Sequence, residues 1–225
     1  MTPTLTPNPP RAMQRTHPMD ARDLMALSPV IPVVVLPEVG QAVPVARALA
    51  AGGVGVIEVT LRTEAGLESV RRIAAEVPEI VVGAGTVTTP EQAAASAAAG
   101  ARFLVTPGST PRLLNAALDT GLAVLPGAAT LGEMMALLER GLDAMKFFPA
   151  VPAGGTAYLS AAHGPLPAAR FCPTGGITPA NAPEFLALPN VGCVGGSWLT
   201  PRDALEAGDW DRVRDLAAAA SGLGG

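Results

Sequence analysis

Hydrophobic and polar residues alternate in blocks along most of this chain. An apolar run rich in β-branched residues comes first, then a loop with Gly, Pro or Thr, then an alanine-rich amphipathic stretch. Short apolar runs bounded by turn residues are typical of buried strands. Apolar positions spaced by three and four are typical of helices. The block recurs from about residue 30 to the C-terminus, which predicts a regular series of strands and helices.

The pattern predicts strands at 31–36, 54–61, 80–84, 103–105, 122–125, 144–148, 170–172 and 191–194. It predicts a short helix at 20–27 and further helices at 42–51, 64–76, 90–99, 111–120, 131–140, 155–162, 179–187 and 209–220. Prolines near helix starts and glycines just past helix ends support these bounds.

Strands that alternate with helices predict a parallel sheet and an α/β fold. Eight such units in about 200 residues fit a closed (β/α)8 TIM barrel, here a single domain over 19–225 with a short N-terminal helix. A doubly wound open sheet is the alternative, but it usually has fewer strands. The G-x-G-x-x-G turn of its dinucleotide-binding members is also absent after the first strand. The proline-rich residues 1–18 predict a disordered extension without a catalytic role.

Composition limits the classes of partner and the cellular compartment that we expect for this protein. The net charge of -4 does not indicate the basic surface that nucleic-acid-binding proteins have. No apolar run reaches the roughly 18 residues that a membrane span needs. The N-terminus has no basic segment followed by an apolar core, so we expect no signal peptide. The two cysteines, Cys172 and Cys193, are too few for a disulfide framework, and we expect buried thiols in a cytoplasmic protein.

The lysine at position 146 stands out because it is the only one among fifteen basic residues. It lies in a predicted buried strand, beside Met145, Phe147 and Phe148. Desolvation disfavours an ammonium ion and so increases the fraction of free amine. A free amine attacks carbonyl carbons to form a Schiff base. The alternative is a lysine that extends from the strand end into solvent.

The second predicted strand has one polar face, which carries Glu58, Thr60 and Arg62. In a barrel the outer face packs on helices, so this polar face should point into the lumen. Catalytic groups gather at the carboxyl ends of barrel strands. The same alternation puts Ala144, Lys146 and Phe148 on one face of the sixth predicted strand, and if that face is also the lumen face, Lys146 and Glu58 converge from different strands. The alternative is a structural ion pair between Glu58 and Arg62.

Five ordered motifs resemble those of the 2-keto-3-deoxy-6-phosphogluconate aldolase family, which also includes 4-hydroxy-2-oxoglutarate aldolases. They are 58–63 (EVTLRT), 83–87 (GAGTV), 146–150 (KFFPA), 172–177 (CPTGGI) and 195–199 (GGSWL). The similarity runs from about residue 20 to the C-terminus. It implies a class I, metal-free aldolase without a cofactor, on a (β/α)8 barrel and commonly a homotrimer.

The resemblance also implies roles for individual residues. Lys146 matches the Schiff-base lysine, and Glu58 matches the general acid and base. The remaining matches are Arg62 and Thr86 for the pyruvyl carboxylate, Thr174 for stereochemical control at the hydroxyl-bearing carbon, and Pro107 and Phe148 for the pocket lining. A zinc-dependent mechanism would need several ligands. The chain has two histidines, His17 in the extension and His163 in a predicted surface loop.

Two glycine segments predict a phosphate site. Gly175 and Gly176 follow the seventh predicted strand, and Gly195, Gly196 and Ser197 follow the eighth. Barrel enzymes often bind phosphate after these two strands, with loop amides and the N-terminus of a short helix. Glycine lets the backbone approach an anion closely.

The sequence therefore predicts an aldolase that splits 2-keto-3-deoxy-6-phosphogluconate, a small phosphorylated 2-keto acid, into pyruvate and glyceraldehyde 3-phosphate. One alternative is an enzyme that acts mainly on 4-hydroxy-2-oxoglutarate. Two others are a phosphosugar isomerase or epimerase, which would not need Lys146, and a non-catalytic phosphate-binding barrel.

Overall fold

The structure is a computed structural model that describes residues 19–224. The predicted disordered extension, residues 1–18 with His17, lies outside the described residues. In the described part, strands and helices alternate, and the paired strands are parallel. The predicted α/β class and the short N-terminal helix are confirmed.

Within these residues the strands are β1 (Val30–Val34), β2 (Val56–Thr60), β3 (Val81–Gly85), β4 (Phe103–Val105), β5 (Ala123–Leu125), β6 (Gly127–Ala128), β7 (Ala144–Phe147), β8 (Arg170–Pro173) and β9 (Val194–Gly196). The α-helices are α1 (Ala21–Met25), α2 (Ala42–Ala51), α3 (Ala65–Glu76), α4 (Pro90–Ala98), α5 (Pro111–Asp119), α6 (Leu131–Glu139), α7 (Gly155–His163), α8 (Ala182–Leu186), α9 (Arg202–Ala207) and α10 (Trp210–Ser221). Short 3-10 turns cover Val39–Gln41 and Gly222–Gly224.

The strands form two parallel sheets. The larger has the order β5-β4-β3-β2-β1-β9, and the smaller has the order β6-β7-β8. Isolated parallel bridges join Phe171 to Val191 and Thr174 to Gly195, next to the point where β8 and β9 approach each other. The carboxyl ends of the parallel strands therefore gather at one end of the fold.

The predicted fifth strand ends at Leu125, and β6 begins at Gly127, because Pro126 interrupts the ladder. Proline has no N–H to donate to a neighbouring strand. Its carbonyl still accepts a hydrogen bond from the Lys146 N–H at 2.9 Å. The sequence analysis missed β6, a two-residue strand that pairs directly with β7.

Two predicted elements need corrected bounds, and one helix was not predicted. Helix α8 was predicted at 179–187 but spans Ala182–Leu186, because Asn181 and Thr178 bond each other in a turn before it. The last strand was predicted at 191–194 but spans Val194–Gly196, since its pairing with β1 starts at Val194. Helix α9 was not predicted.

Helix starts follow ordinary capping chemistry. The side chains of Thr89, Thr110 and Thr130 accept hydrogen bonds from the first turns of α4, α5 and α6. Each satisfies a backbone N–H that the helix leaves without a partner. The strands are almost fully buried against these helices, so their carboxyl ends are held firmly. In the described part of the chain, no helix is long and apolar enough to span a bilayer.

Candidate active site

A cavity of about 280 Å³ opens where β1, β7, β8 and β9 end. Its lining consists of Val33, Val35, Arg62, Phe148, Thr174, Gly175, Gly176, Ile177, Gly195, Gly196 and Ser197. The residues of both predicted glycine segments thus face one cavity, together with Arg62, Phe148 and Thr174. The other predicted site residues, Lys146, Glu58, Thr86 and Pro107, are not part of this lining and lie around it.

Lys146 on β7 and Glu58 on β2 meet inside the protein. The Lys146 Nζ lies 3.3 Å from Glu58 Oε1, and the two side chains are only 4% and 3% exposed. Buried charges are tolerated when they are paired. The alternative of a lysine extended into solvent is therefore wrong. The Nζ also lies 5.4 Å from the ring centroid of Phe148, which connects the buried pair to the cavity.

Two glycines of β3 make room for the groups around Glu58. A Cβ on Gly85 would overlap the carboxyl group of Glu58, and a Cβ on Gly83 would overlap the ring of Phe103. Gly83 is also the register partner of Glu58 across the β2–β3 ladder. The 83–87 motif therefore contributes the space around Glu58 as well as the hydroxyl group of Thr86.

Arg62 bonds Thr86 rather than Glu58. Its Nε donates to Thr86 Oγ1 at 3.1 Å, which makes the alternative of a Glu58–Arg62 ion pair wrong. Thr86 has a φ of 57°, the only positive φ outside glycine in the described residues. A non-glycine residue in this region costs free energy and is common at functional sites. Among the described residues, no acceptor bonds the two terminal nitrogens of the Arg62 guanidinium.

Thr174 lies at the end of β8 and is 6% exposed. Its Oγ1 donates to the carbonyl of Cys172 at 3.3 Å and occupies the space that a side chain at Gly195 would need. Cys172 and Cys193 are free and buried, as predicted. The pKa of the Cys193 thiol is raised well above its ordinary value, chiefly by a hydrogen bond with Cys172 and next by burial. The charge of Glu58 acts in the same direction.

Pro107 packs against the broken strand beside Lys146. A Cβ on Gly127 would overlap Pro107, and Gly127 is the register partner of Lys146. Two neighbours of Pro107 fix this segment, since the Gly127 N–H donates to Thr106 Oγ1 and Ser109 Oγ donates to the Gly127 carbonyl. The sequence analysis missed both hydroxyl groups.

The first glycine segment follows β8, as predicted, and both its glycines have left-handed backbone. Gly175 has a φ of 100° and Gly176 a φ of 81°, which side chains rarely tolerate. The second segment differs from the prediction. Gly195 and Gly196 are the last residues of β9 rather than part of the loop after it, and only Ser197 follows the strand.

The sequence analysis also missed three apolar residues of the cavity, Val33, Val35 and Ile177. Val33 and Val35 occupy alternate positions at the end of the first strand, which was a usable signal. His163 was predicted in a surface loop, but it is the half-buried last residue of α7. Among the described residues, no three His, Cys, Asp or Glu side chains gather as a metal site would require.

Comparisons with known proteins agree with this geometry. The sequence model of the KDPG and KHG aldolases matches residues 21–216. The chain is 50% identical over 205 residues to a 2-dehydro-3-deoxy-phosphogluconate aldolase of Pseudoalteromonas atlantica, covering 91% of this chain and 95% of the relative. It is 52% identical over 197 residues to the KHG/KDPG aldolase of Escherichia coli, covering 88% and 92%.

A solved structure is similar as well. The KDPG aldolase of Legionella pneumophila, with pyruvate captured as a covalent carbinolamine, superimposes with a TM-score of 0.88 and 44% identity. The match covers 90% of this chain and 98% of that one. By family model, by identity over nearly the whole chain and by fold, this chain belongs to the KDPG and KHG aldolase family.

Proposed function

We propose that this protein is a class I aldolase that splits 2-keto-3-deoxy-6-phosphogluconate into pyruvate and glyceraldehyde 3-phosphate. The observation that carries the proposal is the buried pair of Lys146 and Glu58, 3.3 Å apart beside the cavity. A buried amine next to a carboxylate is the arrangement that Schiff-base chemistry needs. The names of its relatives in Pseudoalteromonas atlantica and Escherichia coli support the same reaction.

Lys146 is the nucleophile. Its ammonium group passes a proton to Glu58 Oε1, and the free Nζ attacks carbon 2 of the substrate. Glu58 returns this proton to the hydroxyl group of the carbinolamine, which leaves as water, so that an iminium and the Glu58 carboxylate remain. The iminium accepts the electron pair of the breaking bond between carbons 3 and 4 and becomes an enamine. The carbinolamine captured with pyruvate in the Legionella pneumophila enzyme supports this course.

Glu58 moves protons. As the carbon–carbon bond breaks, its carboxylate takes the proton of the carbon-4 hydroxyl group, directly or through one water molecule. The resulting carboxylic acid then protonates carbon 3 of the enamine. Hydrolysis of the iminium releases pyruvate and restores the pair. No step needs a metal ion or an organic cofactor.

Arg62 and Thr86 hold the carboxylate of the substrate. The Nε–H of Arg62 is taken by Thr86, so its two terminal nitrogens are left to form a planar fork for a carboxylate. Thr174 faces the carbon-4 hydroxyl group and controls its configuration. Phe148 forms part of the apolar wall around carbon 3, and Pro107 supports the strand segment at Gly127 beside Lys146.

The phosphate group binds between the two glycine segments. Gly175, Gly176, Gly195, Gly196 and Ser197 all line the cavity, which supports this assignment. Cleavage of 4-hydroxy-2-oxoglutarate is a second activity of the same site. The KHG/KDPG name of the Escherichia coli relative favours it, since the pyruvyl end of the two acids is the same.

The strands close into a (β/α)8 barrel that forms one domain over 19–225. Three contacts support closure: the bridge from Thr174 to Gly195, the bridge from Phe171 to Val191, and the bond from Lys146 N–H to the Pro126 carbonyl. The last joins β7 across the break between β5 and β6. The two bridges join the segments of β8 and β9.

The protein assembles as a homotrimer in the cytoplasm. Leu131 and Met135, one turn apart on α6, are 39% and 51% exposed and offer apolar surface for association. Free Cys172 and Cys193 thiols are in keeping with a reducing compartment. Sedimentation equilibrium tests the assembly, and a mass of one or two chains would refute the trimer.

Reduction with borohydride in the presence of pyruvate tests the function. We expect one reduced pyruvyl adduct, which peptide mass mapping locates at Lys146. Lys146→Ala should lose both the adduct and pyruvate release from the substrate, and Lys146→Arg should not restore them because its guanidinium stays protonated. An adduct only at the N-terminal amine would refute the assignment and favour an isomerase or a non-catalytic barrel.

A further inference from the structure

Three consecutive carbonyl groups after β8 are bonded by N–H donors of the protein. The Thr174 carbonyl accepts from the Ala150 N–H at 2.8 Å, and the Gly175 carbonyl accepts from the Val151 N–H at 3.0 Å. The backbone of the loop after β7 supplies both donors. The Gly176 carbonyl accepts instead from a side chain, Asn181 Nδ2, at 3.0 Å.

The N–H groups of the same segment are free for a ligand. Among the described residues, the N–H groups of Gly176 and Ile177 donate to no protein acceptor, and both residues line the cavity. An anion is stabilised by N–H groups and repelled by carbonyl oxygens. A phosphate site in this loop therefore requires that the carbonyl oxygens accept hydrogen bonds from other donors and point away from the anion.

Of the three carbonyl groups, that of Gly176 is held least firmly by the protein. Gly176 is exposed and has a φ of 81°, and within residues 19–224 no backbone N–H donates to its carbonyl. A glycine peptide reorients at little steric cost. Asn181, by contrast, is fixed from two sides, since its Oδ1 accepts from the Thr178 N–H at 2.8 Å and its own N–H donates to Thr178 Oγ1 at 3.4 Å.

We propose that Asn181 is a positioning residue that sets the preference for phosphorylated substrates. Its amide holds the Gly176 carbonyl away from the ligand, so that the Ile177 N–H of the same peptide remains directed at a phosphate. Asn181 does not line the cavity and acts only through Gly176. The inference rests on the proposed aldolase function and adds to it the residue that orders the phosphate end of the site.

Two variants test this role. Asn181→Ala removes both side-chain bonds. Asn181→Asp keeps the acceptor for Thr178 but removes the donor to Gly176 and adds a negative charge, so Asn181→Ala is the variant that loses the donor without a new charge. We expect kcat/KM for 2-keto-3-deoxy-6-phosphogluconate to fall about 10–100-fold in both, mainly through KM. For 4-hydroxy-2-oxoglutarate, which has no phosphate, we expect a change of less than about threefold.

Asn115→Ala is the matched control, because Asn115 is exposed on α5 and does not line the cavity. It should leave kcat/KM for both acids near the wild-type values. Trapping of pyruvate by borohydride in each Asn181 variant reports separately on Lys146.

The two possible failures are distinct. If the wild type traps no pyruvate and cleaves neither acid, the proposed function is wrong. If the wild type cleaves both acids and the Asn181 variants lose both in parallel, or lose neither, the aldolase assignment stands and the role of Asn181 is overturned. A loss confined to Asn181→Ala would also overturn it, since the bond to Gly176 is absent from both variants.

Discussion

The carboxyl group of Glu58 occupies the space that a side chain on Gly85 would need. Gly85 is the last residue of β3, and its backbone is that of an ordinary strand, without a positive φ. Its lack of a side chain is therefore explained by its neighbour rather than by its backbone. The absence of a side chain at Gly85 leaves room for the Glu58 position in which Oε1 lies 3.3 Å from Lys146 Nζ.

Gly85→Ala should displace the Glu58 carboxylate. A misplacement of about 1 Å in a catalytic group typically lowers the rate by about 10²-fold, and we expect a loss of kcat of that order. Steady-state cleavage of 2-keto-3-deoxy-6-phosphogluconate measures it. Gly132→Ala on α6 is the control, because a Cβ there meets no atom within 4 Å. Normal kcat in Gly85→Ala would show that Glu58 does not need this position.

Glu58→Gln keeps the shape of the side chain and removes the base. General acid–base catalysis contributes about 10²–10⁴-fold, so cleavage should fall by a factor in that range. The adduct with pyruvate and borohydride should persist because Lys146 remains, and it should form at a lower rate because the proton acceptor of Lys146 is lost. Rapid-quench kinetics separates the two steps. Unchanged cleavage would assign the proton transfers to another group.

Ser197→Asp tests the phosphate site without straining a glycine. Ser197 is exposed at the cavity, and a carboxylate there repels a phosphate dianion. We expect kcat/KM for the phosphorylated acid to fall about 10–100-fold, the value of one or two charge-assisted hydrogen bonds. Ser160→Asp, which adds the same charge at an exposed position of α7, should have little effect. Equal losses of kcat/KM in Ser197→Asp and Ser160→Asp would show that the added charge acts wherever it is placed, and not at a phosphate site beside Ser197.

The two-residue alternation of side chains along a strand predicted the pair of Lys146 and Glu58 at the centre of this site. Side chains on β2 and β7 alternate between two faces, so Glu58 and Lys146 converge if both face the interior of the parallel fold. Lys146 is the next-to-last residue of β7, and Glu58 is the middle residue of β2. Their meeting therefore follows from positions that sequence patterns specify well.

Features beyond the strand ends were harder to predict. Arg62 lies two residues past β2, where the period of two no longer applies, and it bonds Thr86 rather than Glu58. Gly195 and Gly196 were expected in a loop, because glycine is disfavoured in strands. They belong to β9 since pairing with β1 extends through them. The bond from Asn181 to Gly176 has no periodic signal at all.

Helix α9 shows a signal that was present and unused. Pro201 precedes it, Asp203 lies in its first turn and Gly208 follows it in a left-handed conformation. These are ordinary start and stop signals. The helix has only six residues, too few for a clear apolar period. The break at Pro126 had a similar cause, because the strand after it is only two residues long.

Cleavage should be independent of added metal ions. Lys146 provides the electron sink as an iminium, and Glu58 provides the proton transfers, so the reaction is complete without a Lewis acid. Activity after exhaustive dialysis against EDTA should match that of the untreated enzyme. Lost activity that returns with zinc or magnesium would replace this mechanism with a metal-dependent one.

Cys193 should make the protein less stable at alkaline pH. Its thiol has a raised pKa in the folded protein, because of the hydrogen bond with Cys172 and of burial, whereas in the unfolded chain the pKa is about 8.5. The unfolded state therefore loses this proton first. The stabilisation is complete below about pH 8.5 and is lost as pH rises toward the folded pKa, by about 1.4 kcal/mol per pH unit. Urea titrations with reductant at several pH values measure the free energy of unfolding. In Cys193→Ala this part of the slope should disappear. Parallel pH profiles of the two proteins above about pH 9 would contradict the raised pKa.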